Sequence, residues 1–281
     1  MSDHLHRGEA QLVTKAISRM LDEGSAGVLV TLMASPQSAS GPLRVGSKLL
    51  AMESGERAGT LGAADLDEEV ARQVDRFLSS RDEAKSIKVG EFATNLTELA
   101  DVQLLFERIE AEPRLVIAGA GHVGASLARL AALVGYRVTL IDDRAEFVSR
   151  ELFAAPSEQG IDLVLAENWS AAVREAIATG RRVSVAIVTR GHKQDEDCLR
   201  AAISASPFYI GMIGSKRRTN IVLEKLREEG AYEEQLEKVR APIGLDIAAV
   251  SPEEVALAIL AEIVAERRGG SGGSLSVWRR Q

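Results

Sequence analysis

Gly119, Gly121 and Gly124 fall in the order G-x-G-x-x-G within "RLVIAGAGHVG", directly after a short apolar run. Each glycine has its own use where a chain turns from a strand into a helix over a pyrophosphate. The first allows the tight turn, the second lets the backbone approach the phosphates, and the third lets helix and strand pack closely. Ala120, His122 and Val123 complete a loop whose N–H groups and helix dipole favour an anion. The next apolar run, "RVTLID", ends at Asp142 and Asp143, at the separation expected of an acidic residue that accepts a ribose hydroxyl. Asp142 favours a free 2′-hydroxyl, and the adjacent Arg144 leaves a 2′-phosphate open. The chemistry implied is the binding of a dinucleotide, with NAD(P) and FAD both compatible. His122 becomes an acid or base only if a partner positions it.

Three further segments carry residues of the same kind. In "TRGHKQDED", Thr189, Arg190, Gly191, His192 and Lys193 crowd donors and an imidazole into a turn, ahead of a helix that Asp195 is placed to cap. In "GSKRRTN", Gly214 and Ser215 precede Lys216, Arg217 and Arg218. If Ser215 caps the helix, these cations sit in its first turn, where the macrodipole disfavours each by about 0.3–1 kcal/mol. A cluster so placed points to a held anion. A solvated loop and a solvated basic face are the alternative readings of these two segments. In "PIGLDI", Gly244 and Asp246 have no local explanation, and Asp246 either closes the site or caps a neighbour. The following Ser251, Pro252 and Glu254 form a helix capping box.

The elements that must position these residues are legible as a rhythm. From Leu115 onward, short β-branched runs alternate with Ala- and Leu-rich amphipathic stretches, the pattern of repeated βα units. The strand runs are nearly all apolar, as in a parallel sheet covered on both faces. The reading is an α/β chain: a Rossmann-like, doubly wound parallel sheet of at least five strands over residues 113–268, with a smaller N-terminal α+β domain over residues 1–112. In that smaller domain a helix is expected over Glu9–Leu21 and a strand at "GVLVTLMA". A hairpin turn follows at "ESGE", and then one helix across "DLDEEVARQVDRFLSS". "TELADVQLLFERIEAEP" is expected to be a linker helix, and residues 269–281, Gly/Ser-rich and basic, a flexible tail.

Bulk composition narrows the partners. Across 281 residues, 34 Lys and Arg face 41 Asp and Glu, a net charge of −7 that offers no field for a nucleic-acid backbone or an anionic bilayer. One cysteine, Cys198, excludes an internal disulfide and any Cys-rich metal cluster, consistent with a reducing cytoplasm. It falls among apolar residues of a helix, which reads as buried and inert. No metal ligand set is evident, and no apolar run approaches the ~18 residues of a membrane span.

Taken in order, "GAGHVG", "IDDR", "TRGHKQDEDCLRAA", "YIGMIGSKRR" and "PIGLDI…SPEEVALAILAEIVAERR" resemble the XdhC/CoxI family of molybdenum-hydroxylase maturation proteins, over roughly Leu115 to Arg268. The resemblance implies a cytoplasmic cofactor chaperone rather than a catalyst. Such a protein binds the molybdenum cofactor, as molybdopterin or its dinucleotide form. It promotes sulfuration with a cysteine desulfurase and delivers the cofactor to a xanthine dehydrogenase-type apoenzyme, acting as a homodimer. The N-terminal half is similar to the smaller domain of that family at Gly46, Ser47 and Lys48, and again from Gly59 to Gly62. It then departs: Ala63 and Ala64 replace glycines, and Asp65 stands where the family has a cysteine. A carboxylate is a hard ligand and cannot carry sulfane sulfur. Two other classes remain open on the residues alone, an NAD(P)-dependent oxidoreductase and an NAD-binding adaptor without catalysis.

Overall fold

Alternation of burial, not local charge, decides the N-terminal unit. The structure is a computed structural model that describes residues 2–35, 43–80, 82–178 and 182–276. The chain divides into two compact units, residues 1–111 and 112–281. The first contains α1 (Ser2–Asp22), β1 (Ala26–Ala34), β2 (Lys48–Met52), β3 (Arg57–Gly59), α2 (Ala64–Ala71), α3 (Val74–Leu78), β4 (Ala84–Lys88) and β5 (Gln103–Glu110). Its sheet runs β3-β2-β1-β5-β4, with every pairing antiparallel. At "ESGE" the expected hairpin joins β2 to β3, with Gly55 at φ +86° and its N–H bonded to the Met52 carbonyl at 2.9 Å.

Two expectations are corrected here. The segment expected to be a linker helix is largely β5, lying beside β1 inside the sheet. Glu107, Arg108 and Glu110 resemble the polar face of a helix, but Val102, Leu104 and Phe106 are buried at every second position. Such a period of two suits a strand with one face on the core. The single helix expected after Gly62 is two: the backbone tightens at Gln73, whose N–H bonds the Val70 carbonyl, and Leu66, Val70, Val74 and Phe77 all join one core.

The second unit contains β6 (Arg114–Ala118), α4 (His122–Leu133), β7 (Arg137–Asp142), β8 (Ile161–Leu165), α5 (Trp169–Ile177), β9 (Val183–Ile187), α6 (His192–Ala205), β10 (Tyr209–Met212), α7 (Lys216–Glu228), α8 (Glu233–Leu236), β11 (Val239–Arg240) and α9 (Pro252–Arg268). All strands are parallel in the order β11-β10-β9-β6-β7-β8, one more than the minimum of five, because two residues of "KVRAP" pair with β10. One core forms where α5, α6 and α7 cover the sheet, and a second where α4 and α9 cover the other face. Strand β9 is buried at all five positions, which is why it reads as a continuous apolar run.

Strand order reverses between β6 and β9, the switch point at which an open α/β sheet forms its crevice. At the C-terminus α9 ends on Gly269 in the left-handed region. The segment beyond begins against the domain: a Cβ on Gly272 would stand 3.0 Å from Leu245 Cδ2. Residues 277–281 of the expected tail lie outside the described residues.

Candidate functional site

A cleft of about 320 Å³ opens at the carboxyl ends of β6, β7 and β9. The glycine loop supplies Gly119, Gly121, His122 and Val123; the end of β7 supplies Asp142, Asp143 and Arg144; and the loop after β9 supplies Val188, Thr189 and Arg190. Trp169, Gln194, Ile213 and Pro252 complete the wall.

The three motif glycines differ in what holds them. Gly119 has φ +111°, and a Cβ there would come 2.7 Å from the Val188 carbonyl oxygen. At Gly124 a Cβ would overlap the Gly119 carbonyl oxygen at 1.8 Å. Both are therefore required by the close crossing of strand, loop and helix. Gly121 is different: its φ is −64°, and a Cβ would meet nothing within 4 Å.

Gly121 is also the N-cap of α4, and Gly191 that of α6, and neither helix start has a side-chain cap. By contrast α5, α7 and α9 are capped by Asn168, Ser215 and Ser251. The start of α4 lines the cleft through Gly121, His122 and Val123, so first-turn backbone N–H groups without a side-chain acceptor face it, and α6 reaches it through Gln194.

Asp142, expected to accept a ribose hydroxyl, lines the cleft but is held by neighbours within the fold. Its side chain is 2% exposed. Oδ2 accepts the Ala120 N–H at 2.7 Å and Arg144 Nη2 at 3.0 Å, while Oδ1 accepts Arg144 Nε at 2.8 Å and the Arg144 N–H at 3.1 Å. A carboxylate offers about four lone-pair positions. All are taken by these bonds, so Asp142 braces the part of the wall that it lines. Burial pushes its carboxyl up, but the hydrogen bonds from Arg144 and Ala120 and the guanidinium charge outweigh this and hold it below the ordinary carboxylate value. Arg144 in turn lies over the Phe147 ring, its guanidinium carbon 3.6 Å from the centroid.

Asp195 does not cap α6. Its carboxylate is fully buried, accepting the Thr189 hydroxyl on one oxygen and Arg218 Nη2 on the other. Burial pushes this carboxyl up, and Thr189, Arg218 and His192 offset that only in part. Arg218, expected in an anion-holding cluster, is thus used internally to join the start of α7 to the loop after β9.

The remaining candidates spread more widely. Ala120 and Gly124 are buried within the glycine loop. Gly191, His192, Gly214, Ser215 and Arg217 are not among the residues lining the cleft, and the side chain of Lys216 lies outside the described residues. The Ser215 hydroxyl accepts the Arg218 N–H at 3.3 Å, as a cap should. Asp246 is exposed, and its Oδ1 accepts the Ala248 N–H at 3.4 Å, so it braces a local turn in which Ala248 has φ +56°. In the N-terminal unit, Gly46 and Lys48 line a separate cavity of about 320 Å³ beside α1, and Lys48 Nζ donates to Thr31 Oγ1 at 2.7 Å. Gly62 donates its N–H to Thr60 Oγ1 at 3.0 Å, and Asp65 is exposed in the first turn of α2. Cys198 is buried in the core of the second unit. Among the described residues, no group of three or more His, Cys, Asp or Glu could hold a metal ion, and no helix is long and apolar enough to cross a membrane.

Sequence reasoning missed Trp169 and Gln194. Both follow the carboxyl end of a strand within a short loop or at a helix start, so applying the strand-end rule to "ENWS" and "GHKQ" would have found them.

Residues 115–263 match the family model of the XdhC Rossmann domain, and residues 20–87 that of the XdhC and CoxI family. The Escherichia coli (strain K12) protein YqeB is 37% identical over 161 residues, which are 57% of this chain and 28% of YqeB. The molybdenum cofactor insertion chaperone PaoD, also from Escherichia coli (strain K12), is 30% identical over 154 residues, 55% of this chain and 40% of PaoD. The chain therefore spans less than half the length of these curated relatives. The crystal structure of a xanthine dehydrogenase from Bacillus halodurans superposes with a TM-score of 0.61 at 19% identity, covering 91% of this chain and 66% of that one, a likeness of fold. The glycine loop, the switch-point cleft and the two matched segments agree: this chain belongs to the XdhC and CoxI family, with an XdhC Rossmann domain over residues 115–263.

Proposed function

We propose that this protein is a maturation factor for a molybdenum hydroxylase, binding the pterin cofactor in the switch-point cleft and handing it to a xanthine dehydrogenase-type apoenzyme. The observation that carries the reading is Gly121. Nothing in the fold asks for glycine there, since its φ is ordinary and a Cβ would stand in open space. A glycine without a packing reason, at the uncapped start of α4, suits close approach by a diphosphate. Arg190, which lines the same cleft, adds positive charge. A dinucleotide form of molybdopterin carries such a diphosphate, as do NAD(P) and FAD. Family membership, together with the likeness to the insertion chaperone PaoD, favours the pterin as cargo.

The residues fit a carried anion better than a catalytic centre. His122 and His192 would need partners that fix a tautomer before acting as acid or base, and among the described residues no hydrogen bond orients either ring. Sulfuration through the chain itself does not fit, because Asp65 cannot hold sulfane sulfur and Cys198, the only cysteine, is buried. In this reading a cysteine desulfurase acts on the held cofactor directly, and the chain works as a homodimer.

The test is anaerobic purification, followed by oxidation of any released pterin to its fluorescent derivative. The expected outcome is pterin fluorescence that rises after incubation with cofactor and falls in Gly121→Val. No pterin from the protein, even after incubation, would sink the proposal.

A further inference from the structure

Arg144 is built as a fixed, flat surface at the edge of the cleft. Its Nε and Nη2 are committed to Asp142, so the plane of the guanidinium is set by two hydrogen bonds of 2.8 and 3.0 Å. Phe147 covers one face. Arg144 still lines the cleft, and its Nη1 takes no part in the bonds to Asp142. Trp169, at the first position of α5, lines the same cleft and is half-buried against the core of the unit. An indole and an immobilised guanidinium, both on the β7–β8 side of the glycine loop, are the two side-chain types on which heteroaromatic rings stack best.

We infer that Arg144 and Trp169 form a subsite for the planar base of a nucleoside diphosphate, whose phosphates lie at the glycine loop. This rests on the reading of the cleft as a diphosphate site and adds what the other end of the ligand must be. Asp142 has no free lone pair, and the ribose acceptor is Asp143, which lines the cleft with a side chain 33% exposed. Asp142 Oδ1 and Asp143 Oδ1 stand 2.8 and 3.9 Å from Arg144 Nε, so two carboxylates face one guanidinium. An added 2′-phosphate would meet net negative charge there, whereas a neutral ring meets none.

The chain has two tryptophans, Trp169 and Trp278, so the full-length Trp278→Phe protein reports on Trp169 alone. We expect ADP to quench that fluorescence and to bind at least about tenfold more tightly than inorganic pyrophosphate, the size of effect that one stacked base contributes. Trp169→Leu should abolish the advantage of ADP while leaving pyrophosphate binding unchanged, and Trp169→Phe should keep most of it. Equal binding of ADP and pyrophosphate without quenching would overturn the ring subsite and leave the diphosphate reading standing. Tighter binding of NADP⁺ than NAD⁺ would assign Arg144 to a phosphate and overturn the subsite too. Binding of neither ADP nor pyrophosphate would overturn both.

Discussion

Asp142 accepts the Ala120 N–H at 2.7 Å, tying the last residue of β7 to the glycine loop that follows β6. The two residues are 22 apart in sequence and both are buried. The loop is therefore held by a neighbouring strand as well as by its own glycines. Asp142→Asn preserves shape but turns one acceptor into a donor facing N–H groups. We expect a loss of about 2–4 kcal/mol in urea unfolding at neutral pH, with the fold retained.

The same carboxylate sets a pH dependence. Although burial pushes it up, the hydrogen bonds from Arg144 and Ala120 hold its folded carboxyl below the ordinary carboxylate value. A depressed folded pKa contributes stability that is present above the unfolded value and is lost as pH falls through the folded one. Urea titrations from pH 7 downward should thus show the wild type losing stability below about pH 4 more steeply than Asp142→Asn. Parallel profiles would show that Asp142 is not the group responsible.

Gly121 and Gly124 should respond oppositely to alanine. At Gly124 the new Cβ meets the Gly119 carbonyl oxygen at 1.8 Å, and backbone must move. We expect destabilisation of about 1–3 kcal/mol or more. At Gly121 the methyl group enters open space, so thermal stability should stay unchanged while ADP binding falls about tenfold or more. Melting curves and calorimetric titration of both variants separate the packing glycine from the ligand glycine.

Thr189, Asp195 and Arg218 should behave as one unit. Asp195→Ala leaves a half-buried guanidinium and a buried hydroxyl without their acceptor, at a cost of about 3–5 kcal/mol. Combined with Arg218→Met, the loss should be clearly smaller than the sum of the two single losses. An additive double-mutant cycle would mean that the pair is not coupled.

Cys198 should be silent and position 65 permissive. Burial, aided by Asp195 and Asp197, pushes the Cys198 thiol far above the ordinary thiol value, so Ellman's reagent should label it only on unfolding. The wild type should accept no sulfane sulfur from a persulfide donor. Asp65→Cys places a thiol on an exposed first turn of α2 and should accept it, read by mass spectrometry as a gain of one sulfur atom.

What the chain's residues declare by themselves is local. The βα rhythm, the hairpin at Gly55, the Ser215 cap and the Ser251–Glu254 capping box all depend on residues within about a turn of each other. Each is therefore written in consecutive letters. The glycine loop and the family blocks are legible for the same reason. Tertiary structure decided how polar atoms are shared. Ala120 and Arg144 bond the oxygens of Asp142, and Asp195, placed to cap α6, is instead taken by Arg218, 23 residues on. Local charge misled in the same way at β5, where Glu107 and Arg108 suggested a helix and burial of Leu104 and Phe106 beside β1 made a strand. Hydrogen-bond saturation and sheet membership are properties of neighbours in space, and a sequence orders neighbours only along the chain.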